Sequence, residues 1–178
     1  MENVCAPEEK ISVRKFALRV FASGIFMMAL DLFLNAGVFA KAWLEPSSFL
    51  LDPQQLFRRI PLGYIAFFLE ASVYVWLSMR VGARTWKRGC FFGLKLGGLL
   101  SIASTLGLRS GTTASWPILL VWLVGGIVLT TGACSMAGLS SARGEKRALL
   151  SAILALVVAF ILIVVLQNTG LVPTRRMN

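Results

Sequence analysis

The chain has 178 residues, of which 57% are hydrophobic and only 15% charged, with a formal net charge of +10. Soluble domains carry about a quarter charged residues, so a chain this apolar is excluded from that class and belongs in a membrane. Its basic residues sit in short bursts between apolar runs, as membrane proteins mark their cytoplasmic side; anionic lipid headgroups are the expected partner there and nucleic acid is not.

Histidine is absent, which removes the commonest general base and the commonest metal ligand. Cys5, Cys90 and Cys134 show no CxxC-type spacing. No metal site, disulfide framework or cofactor is indicated. Cys90 lies at a membrane edge, open to palmitoylation, while Cys134 suits a small packing position.

Residues 1–15 read as a polar cytoplasmic segment, with Pro7, Glu8 and Glu9 placed as in a first helical turn. Lys10, Arg14, Lys15 and Arg19 lead into the first span, about residues 17–40. The basic residues, the apolar run and Ala40-Lys41-Ala42 imitate a secretory signal. The run exceeds the roughly 7–15 residues of a signal core and carries Asp31 and Asn35, so it reads as a retained span.

Between the first two spans, Trp43 suits an interface anchor. Asp52, Pro53 and Gln55 resemble a helix start, with an acidic N-cap, proline at N1 and glutamine at N3. Leu56, Phe57 and Ile60 would share one face of a short interfacial helix, ending at Ile60 because residues before proline avoid helical angles. The second span covers residues 61–79, with Tyr64 and Trp76 toward opposite interfaces. Its eight strongly apolar residues contribute about −2.4 to −4.8 kcal/mol to insertion, and a central charge costs about 2.5–3.5. With Glu70 in mid-span, this helix depends on its neighbours.

Arg80, Arg84, Lys87 and Arg88 form a compact basic loop suited to lipid headgroups. The third span, residues 89–108, carries Gly89, Gly93, Gly97, Ser101 and Thr105 at four-residue spacing. On an α-helix this makes one stripe of small side chains, which lets a second helix approach closely where lipid removes the hydrophobic drive. The fourth span, residues 116–139, begins at Trp116-Pro117 with Ser115 as cap, and repeats the stripe as Gly126, Thr130, Cys134 and Gly138. A short turn joins the two, so they are expected to form a tight antiparallel hairpin. The same stripes leave room for a homo-oligomer or a membrane protein partner.

Arg143, Lys146 and Arg147 precede the last span, residues 148–166, in which fourteen positions are Leu, Ile, Val or Phe. At about −4 to −8 kcal/mol it inserts unaided and is expected to face lipid. Residues 167–178 form a short tail. The fold class is therefore all-α, a polytopic transmembrane bundle of five spans with a short interfacial helix between the first two, and a single integral membrane domain. Eleven basic residues fall on the side of the N-terminus and six on the other, which makes the N-terminus cytoplasmic and the C-terminus external. Were the Lys95 segment not to span, the split would be twelve to six, so span length, about 20 residues per crossing, decides for five.

Ionisable groups within spans are costly and point to function. Asp31 and Glu70 lie roughly 18 and 16 Å from the cytoplasmic edge and Lys95 about 9 Å in. Asp31 and Asn35 share one stripe, and Glu70 and Tyr74 another. Two carboxylates at one depth repel if both are ionised, so one keeps its proton unless Lys95 pairs with them. Three readings follow: polar contacts that tie helices together, a proton- or cation-binding pocket using Asp31, Asn35, Glu70, Tyr74 and Lys95, or acid–base catalysis by the carboxylate pair. No phosphate loop, nucleophile elbow or HExxH is present.

The basic loop, Gly89-x-x-x-Gly93 leading an apolar run, the short turn, Pro117, Trp122 and the following glycines resemble small bacterial multi-span integral membrane proteins of unknown activity, over roughly residues 20–140. This resemblance implies a bacterial inner-membrane setting and no particular chemistry. Gln167-Asn168-Thr169 after an apolar helix is similar to the anchor of lipopolysaccharide-assembly-protein-A-type domains, but no coiled-coil segment follows it. The expectation from sequence is a non-enzymatic scaffold or accessory component, with a small proton- or cation-coupled carrier as the alternative.

Overall fold

The computed structural model describes residues 12–44, 50, 51 and 53–172. It is all-α: α1 (Val13–Phe33), α2 (Pro53–Arg80), α3 (Trp86–Gly111), α4 (Trp116–Arg143) and α5 (Glu145–Asn168), with no strand among the described residues. Among the described residues, five helices are long and apolar enough to cross a membrane. The expected helix start around Pro7, together with Cys5 and the end of the tail, lies outside the described residues.

Local chemistry sets the ends. The Ser12 hydroxyl accepts from the Lys15 N–H at 3.4 Å, and the Thr85 hydroxyl accepts from the Arg88 N–H at 3.3 Å, each satisfying an amide that the first helical turn leaves unpaired. Ser115 occupies the N-cap of α4 as expected but makes no side-chain cap bond; Pro117 sits in the first turn. Gly144, at φ +88°, closes α4 and opens α5 within one residue, a conformation that side-chain-bearing residues rarely adopt.

Two expectations are corrected. The helix beginning at Pro53 does not stop at Ile60: it runs through Pro61 to Arg80 as one element, so residues 53–60 form no separate helix of their own. Pro61 withholds one N–H, and the bonds on either side of it hold the helix together. Asp52, its expected cap, lies outside the described residues. The first span does not run to residue 40 as a plain α-helix. It begins at Val13, passes into a π-helical turn at Leu34–Val38, and is followed by a 3-10 turn at Ala42–Leu44. The remaining helices exceed their expected limits by a few residues.

Packing centres on α4, which touches all four other helices, while α1 also packs on α2 and α5. The α3–α4 pair is the most extensive in the molecule, and the small stripes make it. Gly89, Gly93, Gly97 and Ser101 are buried. A Cβ on Gly93 would lie 2.7 Å from Cα of Thr131, and one on Gly89 would strike the Cys134 carbonyl. On α4, Gly138 abuts the Thr85 carbonyl and Gly126 the Ser101 hydroxyl. Thr105, the last position of the stripe, is only half-buried.

The core is built from small side chains. Ala22, Met136, Ala148 and Ala152 bring α1, α4 and α5 together, and Met27, Ala71, Tyr74, Ala133 and Cys134 join α1, α2 and α4. Large apolar residues face outward instead, among them Leu62 and Leu69 on α2, Leu99 and Leu106 on α3, and Leu150 and Phe160 on α5. So wide an apolar exterior fits a hydrocarbon surrounding. Contacts between Arg19 and Glu145 and between Thr85 and Gly138 gather the N-terminal part of α1, the α2–α3 turn and the α4–α5 turn at one end of the bundle, where the basic bursts collect.

Candidate functional site: a polar cleft

Asp31 lies in the last turn of α1, and the π-helical turn carries Asn35 into reach of it. The Asn35 amide donates to Asp31 Oδ1 at 2.6 Å, and the Trp43 indole N–H donates to Asn35 Oδ1 at 3.0 Å. The chain thus folds back so that the expected interface anchor serves as the outer link of a relay ending on a carboxylate. On α2, the Tyr74 hydroxyl donates to Glu70 Oε2 at 3.5 Å, and Thr130 of α4 meets the same hydroxyl. Glu70 remains exposed on its outer side, while Tyr74 is buried.

Asp31, Asn35, Glu70 and Tyr74 all line one cavity of about 660 Å³, walled also by Trp43, Phe67, Ser101, Ser104, Trp122 and Thr130. A second hollow of about 620 Å³ shares Asp31, Asn35, Trp43, Phe67 and Trp122 and extends past Tyr64 toward Arg59. Hydroxyls and an amide surround the carboxylates, so the cleft can hold a proton or a small hydrogen-bonding or cationic guest. Among the described residues, no three Cys, Asp or Glu side chains converge as a metal site would require.

Lys95, grouped with these residues on depth, is elsewhere. It is exposed on α3, with its ammonium 4.4 Å from the centroid of the Phe91 ring, and it does not line the cleft. In the basic loop, Arg84, Lys87 and Arg88 are exposed, and Arg80 and Lys87 lie over the rings of Trp76 and Trp86 at 5.8 and 5.9 Å.

Two arrangements escaped the sequence reading. Ser23, on the Asp31 stripe by spacing, instead donates to the Ala133 carbonyl of α4 at 3.2 Å. Arg19, buried at the basic end, donates from Nη2 and Nε to Glu145 Oε1 at 3.0 and 3.3 Å. The one available signal was Glu145 itself, an acid standing alone among Arg143, Lys146 and Arg147. Comparison with protein-family models, curated proteins and solved structures finds no match to this chain.

Proposed function

We propose that the protein is a non-enzymatic component of a bacterial cytoplasmic membrane, with its N-terminus on the cytoplasmic side, acting as a scaffold or accessory subunit. The observation that carries this reading is the α3–α4 hairpin. Its helices meet backbone to backbone at Gly89, Gly93 and Gly138, a rigid unit around which other helices dock. The collection of basic residues at one end supports the sidedness. On this reading the polar cleft ties α1, α2 and α4 together. Asp31→Asn and Glu70→Gln then lower stability in detergent, and liposomes containing either variant pass protons and cations no differently from those with the unaltered chain.

A second reading, a small proton- or cation-coupled carrier, is favoured by the shared cavity of Asp31 and Glu70. Carboxylates at membrane depth facing a common hollow are a usual means of exchanging a proton for a guest. Lys95 takes no part in this cavity, so the carrier rests on the two acids. Reconstituted protein under a pH gradient decides between the readings: a flux abolished by Glu70→Gln selects the carrier, and its absence selects the scaffold.

A further inference from the structure

A hollow of about 580 Å³ lies between the first turn of α1 and the α4–α5 turn, and its walls carry Arg14, Lys15, Arg143, Lys146 and Arg147. Five cations around one space repel one another, and packed helices hold them together. None of the five side chains forms an ion pair or donates a hydrogen bond among the described residues. The acid at the rim, Glu145, is engaged from beneath by Arg19, although its field reaches Lys15. Gly144 has no side chain with which to cap α5, so the first-turn N–H groups of that helix add to the positive field. The α2–α3 basic loop differs, since Arg80 and Lys87 there rest on tryptophan rings.

We propose that this hollow is a binding site for a phosphate group, supplied by the headgroup of an anionic phospholipid. Guanidinium forks at Arg14, Arg143 and Arg147 match phosphate oxygens in pairs. The lipid source is favoured by apolar surface beside the cations: Leu18 lines the hollow, and Val13 and Leu150, one and three residues from Arg14 and Arg147, are strongly exposed. The site is separate from the cleft and holds whether the protein is scaffold or carrier.

The test uses the purified full-length chain in detergent, with phosphatidylglycerol, phosphatidylcholine and inorganic phosphate as probes and retained lipid counted by native mass spectrometry. The unaltered chain retains phosphatidylglycerol over phosphatidylcholine. Arg143→Gln, Lys146→Gln and Arg147→Gln together weaken that retention about a hundredfold, from roughly fivefold per cation. The charge-matched set Lys41→Gln, Arg58→Gln and Arg109→Gln, exposed cations outside the hollow, changes it less than about twofold, and Arg143→Lys with Arg147→Lys, which keep the charge but lose the forks, fall between the two. Melting of each variant without lipid verifies its fold. Release of the lipid by millimolar inorganic phosphate supports a phosphate site and identifies the free anion as a competing source. Equal losses in both triple variants overturn the proposal, as does no loss in the first. Retention that emerges only after Glu8→Gln and Glu9→Gln also overturns it, because the chain's own acids would then fill the hollow.

Discussion

Arg19 and Glu145 stand 126 positions apart and meet at 3.0 Å, joining the start of α1 to the start of α5. Their side chains keep only 9% and 18% of their surface accessible. Breaking such a pair from one side leaves a charge with poor hydration, which is worse than removing both. Arg19→Met is therefore expected to lower stability by about 2 kcal/mol, discounted for the partial exposure of Glu145. Arg19→Met with Glu145→Gln recovers part of the loss. Thermal melting of both single variants and the double in one detergent measures the coupling; single losses that simply add in the double would show that the pair contributes nothing.

The glycines of α3 divide into two kinds. Gly93→Ala forces a methyl against the backbone of Thr131, and overpacking of this sort costs about 1–3 kcal/mol. Gly98 and Gly107 have open space where a Cβ would stand, so Gly98→Ala and Gly107→Ala are neutral or stabilise by up to about 1 kcal/mol. A melting series over these three variants suffices. Uniform behaviour would mean that the helices do not meet along the Gly89–Ser101 stripe.

Asn35 is the middle link between Trp43 and Asp31. Asn35→Leu removes a donor from the carboxylate and an acceptor from the indole at once, and is expected to destabilise by about 1–3 kcal/mol. In a chain whose other tryptophans are phenylalanine, Trp43 emission shifts on this substitution. An unchanged spectrum would show that the indole does not depend on Asn35.

Lys95 sits over Phe91 on an outward face. A cation within a span disfavours insertion by about 2.5–3.5 kcal/mol at the centre and less nearer the edge, so Lys95→Leu is expected to leave stability unchanged or raise it. Any cation flux of the reconstituted protein is likewise unaffected. A drop in melting temperature or in flux would assign Lys95 a partner that its position over Phe91 does not provide.

The five long helices were legible because each is announced by an apolar run of membrane length. The α3–α4 seam was legible because Gly89, Gly93 and Gly97 face Cys134, Thr131 and Thr130 at matched spacing. Pro61 misled because the rule that proline ends a helix weighs local sterics alone, whereas the apolar residues on both sides favour continuation. Asp31 and Glu70 could be placed at one depth by counting residues, and depth is blind to rotation: the same count grouped Lys95 with them, though it points the other way. The Arg19–Glu145 pair and the Trp43–Asn35 bond depend on how α5 and the post-α1 turn come to rest. No periodicity within one segment encodes that.

That α4 touches every other helix, and that α1 packs against α5, bears on biogenesis. A ribosome delivers α1, α2 and α3 to the bilayer before their common partner exists, and the helix that completes the face of α1 is made last. Until α4 is made, the early segments therefore stand with small-residue faces uncovered. A chain halted before Trp116 would be a substrate for quality control rather than a smaller working protein.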